Sequence, residues 1–130
     1  MALAAACLGE AFELLAVGTA DRLEGELYRP VQKAYGRAKR TYAGFAERSG
    51  LTAGGFEEPS PGPTSQGAKA LVERAVGAAA EADRRVAELQ DSMLPVESGD
   101  AELRTGLSEV RESLGGLPVA ARDLLRGLGR

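Results

Sequence analysis

The side chains best suited to chemistry crowd into one stretch, YRPVQKAYGRAKRTYAGF, residues 28 to 45. It holds all three tyrosines, Tyr28, Tyr35 and Tyr42, interleaved with five cations, Arg29, Lys33, Arg37, Lys39 and Arg40. Aromatic faces and cations can grip one anionic ligand only if both reach it together. On a helix turning about 100° per residue, Tyr28, Val31, Tyr35, Ala38, Tyr42 and Phe45 share a face about 100° wide. Arg29, Lys33, Arg37 and Arg40 cluster about the opposite direction, and only Lys39 lies near the tyrosines. The spacing predicts an aromatic packing seam backed by a separate basic surface. That surface suits an anionic partner, either an acidic subunit or anionic lipid headgroups.

The other reactive groups stand apart from one another. Cys7 is the single cysteine and the chain has no histidine, so no base of that kind can activate the thiol. Cys7 therefore reads as a small buried hydrophobe. Glu57 and Glu58 lie in a glycine- and proline-rich stretch, Glu97 and Asp100 in a turn, and all four read as solvated charges. Ser60 before Pro61 has the form of a proline-directed phosphorylation site, although the surrounding composition is that of a plain connector. TAGGF lacks the lysine and the following helix of a phosphate loop. Without histidine, the usual metal-ligand sets cannot be assembled. No catalytic residue, cofactor or metal is expected, and the chain reads as a non-enzyme. A net charge of −3 argues against nucleic acid as the partner.

The elements that carry these residues are helices. Alanine and leucine supply most of the apolar volume, aromatics are 5 % and tryptophan is absent, which suits close helix packing better than sheets. With 130 residues the expectation is one domain. Residues 1–48 form an N-terminal helical region bent near Pro30, because an interior proline removes one backbone hydrogen bond. A first helix ends near Val17 and a second starts at the capping-box sequence DRLE, Asp21 to Glu24, or one helix runs through Gly18. Residues 49–66 are a flexible linker without apolar periodicity.

A helix over 67–94 carries Val72, Ala75, Ala79, Ala82, Val86, Leu89 and Met93 in alternating threes and fours, with Glu81–Arg85 and Arg84–Glu88 spaced to pair on its outer side. Pro95 ends it. Leu103, Leu107, Val110 and Leu114 mark a helix over 100–114, and a short helix follows over 118–128. The apolar N-terminus has no cation before Arg22 and is interrupted by Glu10 and Glu13, so it reads as a folded helix rather than a signal peptide or membrane span. The expected location is intracellular, cytoplasmic or nuclear.

The predicted fold is therefore all-α: an elongated hairpin or bundle of four to five helices with heptad-like seams. Acids load the first half of the N-terminal region and bases the second, an order that suits antiparallel self-association. The expected function is that of a small subunit or adaptor acting by helix packing in a homo- or hetero-oligomeric assembly. The segment LGGLPVAARDLLRGL resembles, over a few residues, the helix–GLP–helix turn of perilipins. That likeness implies an alternative, an amphipathic-helix protein on a lipid or membrane surface in the manner of apolipoproteins and perilipins. The narrow seams suit protein packing better than a broad lipid face.

Overall fold

Small and unbranched apolar residues at helical spacing produce the architecture directly. The computed structural model describes residues 1–52, 54–55 and 59–128, and these form an all-helical bundle. Its helices are α1 (Ala2–Leu14), α2 (Val17–Leu23), α3 (Arg29–Arg48), α4 (Gly67–Asp91), the single turn α5 (Leu94–Glu97), α6 (Ala101–Leu114) and α7 (Leu117–Leu128).

The chain turns its first corner at Leu15 and Ala16, both extended. Asp21 consequently lies inside α2 and caps nothing, so the DRLE start does not occur. Between α2 and α3 the helix continues as one wide π turn, Glu24–Tyr28, in which the Arg29 N–H donates to the Glu24 carbonyl. The distortion expected of Pro30 sits here. Pro30 has no N–H to offer and its ring crowds the carbonyl four residues back, so the turn before it opens while the helix runs on.

α3 ends in a Schellman arrangement. Gly50 has φ +70°, its N–H donates to Glu47 O at 3.2 Å, and the Leu51 N–H donates to Ala46 O at 2.7 Å.

α4 stops at Asp91 rather than near 94. Were it to continue, the ring of Pro95 would strike the Asp91 carbonyl, so the chain breaks at Ser92 and restarts with Pro95 in the first turn of α5. At the head of α6, Asp100 is the N-cap: its Oδ1 accepts from the Leu103 N–H at 3.0 Å.

The helices pack as two antiparallel pairs, α1 on α4 and α3 on α6, with α4 also against α6 and α7. The α3–α6 direction is fixed by Arg48 at Asp100, Thr41 at Gly106 and Arg37 at Glu109. One core joins Cys7 and Leu8 of α1, Leu27 and Val31, Leu71 and Val72 of α4, Val110 and Leu114 of α6, and Leu124 of α7. Alanines Ala4, Ala11, Ala34, Ala75, Ala79 and Ala121 fill the spaces between these, so backbones approach closely.

Candidate interaction surfaces

The buried stripe of α3 is not centred on the tyrosines. It runs through Val31, Ala34, Thr41 and Ala46, and Ala34 and Thr41 lie on the side of this stripe away from the tyrosines. At Thr41 the stripe meets Gly106 of α6 in a close crossing. A Cβ built on Gly106 would lie 2.6 Å from Thr41 Cγ2 and 2.9 Å from Thr41 Cβ, and closer still to Thr41 Oγ1. Only small residues fit such a crossing. Tyr28, Tyr35, Ala38 and Phe45 are therefore half-buried at its flank, and Tyr42 is 43 % exposed. Among the described residues, Thr41 Oγ1 is the one buried side-chain polar atom without a hydrogen-bond partner.

Tyr28 and Tyr35 line a groove of about 540 Å³ together with Ala2, Ala5, Ala6, Gly9 and Glu10 of α1. Lys39 sits over the Tyr35 ring, 4.4 Å from its centroid, a cation–π contact. The Tyr28 hydroxyl accepts from Gln32 Nε2 at 2.9 Å. The groove is closed on one side by Pro59 and Pro61 of the connector. The Pro61 carbonyl accepts from Gln66 Nε2 at 2.9 Å and from Arg74 Nη1 at 2.7 Å, and Ser60 Oγ accepts from the Gly62 N–H at 3.2 Å. This part of the expected linker is thus pinned to the start of α4.

The basic surface is largely answered from within the chain. Arg37 Nε donates to Glu109 Oε2 at 2.5 Å, and Arg29 lies 3.9 Å from Glu24. Lys33 and Arg40 line a hollow with Arg37, but Glu109 and Glu112 of α6 line it too. Its character is mixed rather than cationic. Further along, Arg48 donates to Asp100 Oδ2 at 2.8 Å and to Glu102 Oε2 at 2.6 Å. Arg48 thereby holds the Asp100 carboxyl below the usual aspartate range, helped by the Leu103 N–H, while burial acts against it.

The α4 seam is buried at Val72, Ala75 and Ala79, half-buried at Ala82, Val86 and Leu89, and leaves the protein at Met93. Met93 falls beyond the end of α4 and is 59 % exposed, the consequence of the break imposed by Pro95. Leu103, Leu107, Val110 and Leu114 are all buried. The Glu81–Arg85 and Arg84–Glu88 pairs both form.

The α4–α6 corner was not legible as a surface. Met93, Leu94 and Val96 are all exposed within four residues, Val96 by 62 %. Leu51 is exposed at the same end of the bundle, because Arg48 and Ser49 line one hollow with Ser98, Gly99 and Asp100. Pro95 in the middle of this group is buried against the bundle. The exposed group is therefore anchored at its centre and flanked in sequence by Asp91 and Glu97.

Among the residues with possible chemistry, Cys7 is fully buried, and burial pushes its thiol above the ordinary value despite the nearby Arg74 charge. Glu97 is exposed, and Glu57 and Glu58 lie outside the described residues. Among the described residues no three acids and cysteine come together as a metal site. No helix among them is long and apolar enough to cross a membrane. Comparison of the chain with protein-family models, curated proteins and solved structures gives no significant match.

Proposed function

We propose that the protein is a non-enzymatic helical interaction module, a small subunit or adaptor of a homo- or hetero-oligomeric assembly, docking through the α4–α6 corner. The observation that carries this reading is the group Met93, Leu94 and Val96, exposed together on a turn that Pro95 anchors in the bundle. An apolar group on an anchored turn, with acids beside it in sequence, has the composition of a protein–protein contact. Full burial of such a side chain is worth about 1.5–3 kcal/mol, and with Met93, Leu94 and Val96 59 %, 43 % and 62 % exposed roughly half of that is left ungained at each.

The experiment is sedimentation of the full chain across a wide concentration range, beside a Met93→Ser, Leu94→Ser, Val96→Ser variant. Association that strengthens with concentration, or a stoichiometric partner retained on purification, is expected for the native sequence and absent from the variant. A native chain that stays monomeric and partnerless, indistinguishable from the variant, would remove the proposal. The lipid reading draws its support from α7, which carries Leu117, Ala121 and Leu124 opposite Arg122, Asp123 and Arg126. Those leucines are buried in the bundle, so lipid binding requires α7 to detach. Flotation with anionic vesicles that survives the triple serine change would favour that alternative over the corner.

A further inference from the structure

We propose that Ser60 is a phosphorylation site for a proline-directed serine kinase, and that Arg74 of α4 receives the phosphate. Of the six prolines in the chain, only Pro61 follows a serine or threonine, so a single hydroxyl is offered to such a kinase. The preference for proline at that position has a physical basis. Proline has no N–H, so the residue after the acceptor serine leaves no backbone donor to bury unpaired in the kinase cleft. The fold adds what the dipeptide alone lacks. Ser60 is exposed while Pro59 and Pro61 on either side of it are half-buried, so its hydroxyl is open to an enzyme arriving from solvent. Its Oγ accepts from the Gly62 N–H at 3.2 Å, and its proton is given to no group among the described residues.

In the transfer, Ser60 Oγ bonds to the γ-phosphorus of ATP as the bond from that phosphorus to the β–γ bridging oxygen breaks. ADP leaves, and the hydroxyl proton passes to the carboxylate base of the kinase. The product carries a charge of about −1.5 to −2 near neutral pH. Arg74 is the cation placed to meet it. Its Nη1 donates to the Pro61 carbonyl at 2.7 Å and would lie 2.7 Å from a Cβ on Gly62, the residue whose N–H meets Ser60 Oγ. Guanidinium and hydroxyl thus flank one glycine, which turns the chain there at φ +92°. Arg74 is exposed and makes no ion pair among the described residues, and the Pro61 carbonyl occupies only one of its N–H donors. Lys39 is held over the Tyr35 ring and shares its groove with Glu10, so it answers the phosphate less directly. Phosphate and guanidinium make a charge-assisted pair that fastens the connector to α4.

The test is incubation of the folded full chain with a proline-directed serine/threonine kinase and ATP, read by intact mass and peptide fragmentation. One phosphate per chain, on Ser60, is expected, with incorporation lost in Ser60→Ala and in Pro61→Ala. Phosphorus NMR then follows the Ser60 phosphate through its second ionisation. Its midpoint should lie at lower pH in the folded native chain than in the same chain unfolded in urea, because the paired cation favours the dianion. Arg74→Gln, at an exposed position of α4, should return the midpoint to the urea value, and Arg74→Lys should keep part of the shift. Absence of phosphate on Ser60, or undiminished phosphate there in Pro61→Ala, overturns the modification site. Equal midpoints in the folded chain and in urea, or a lowered midpoint that persists in Arg74→Gln, overturns Arg74 as the receiver.

Discussion

At Gly106 a single missing methyl group sets the distance between two helices. Thr41 fills the space that a Cβ at 106 would take, so Gly106→Ala forces α3 and α6 apart or pushes Thr41 off its rotamer. Overpacking of this kind costs about 1–3 kcal/mol, more than the about 1 kcal/mol that alanine gains over glycine as a helix former. Urea unfolding should show the net loss. Thr41→Ala empties the same space and removes a buried hydroxyl that has no partner among the described residues. The double variant should therefore lie close to Thr41→Ala alone, with a coupling of about 1–2 kcal/mol. Simple additivity of the two single changes would show that the crossing is looser than the geometry says.

At the scale of elements, α6 depends on its first residue. Asp100 serves two helices at once, capping α6 through Leu103 and holding the end of α3 through Arg48. Because the folded carboxyl titrates below its ordinary value, its contribution is complete above the usual aspartate range. It disappears as pH falls from there through the lowered folded value. Asp100→Asn keeps an acceptor for the cap but loses the charge, and Asp100→Ala loses both. Thermal midpoints near neutral pH should fall in the order native, Asn, Ala, and the native advantage over Asn should vanish in acid. An Asn variant equal to native at neutral pH would mean that Arg48 contributes nothing there.

Much of this level was legible in the sequence. The helices over residues 67–91, 101–114 and 117–128 follow from apolar spacing and from prolines, as do the outer Glu–Arg pairs of α4. Asp100, expected to be a solvated turn charge, is instead the N-cap of α6 and the partner of Arg48, although an acid directly before an apolar periodic run carries that signal. The phase of α3 was not legible. A helical wheel counts large apolar residues, whereas the buried face of α3 includes small ones, Ala34 and Ala46, and Thr41 against Gly106. At Thr41 the close fit depends on Gly106, about 65 positions away, which no local pattern contains. The exposure of Met93 was hidden for the converse reason: it continues the α4 seam in sequence, and the break before Pro95 takes it out of the seam in space.

For the whole molecule, the core offers its own reporter. Cys7 lies in the contact of α1 with α4, with its thiol held neutral by burial. Its folded titration is raised, so the unfolded chain ionises first, and stability should decline as pH rises through the ordinary cysteine range. A thiol reagent such as DTNB should label Cys7 only as fast as the bundle opens. The rate should rise steeply with denaturant, in step with loss of helical circular dichroism. Rapid labelling under native conditions would mean that α1 detaches separately from the remaining helices.

The π turn at Glu24–Tyr28 has a geometric consequence for the long N-terminal rod. A π turn holds one surplus residue, so the apolar stripe is rotated by roughly one residue's angle, about 100°, as it passes through. Before the turn, α2 faces α1 and α7; after it, α3 lies along α6. The rod changes neighbours in mid-length with no loop and no loss of continuity, much as a splined shaft drives two wheels set at different angles. Pro30, where a bend was expected, marks the place where one helix is keyed to two halves of the bundle.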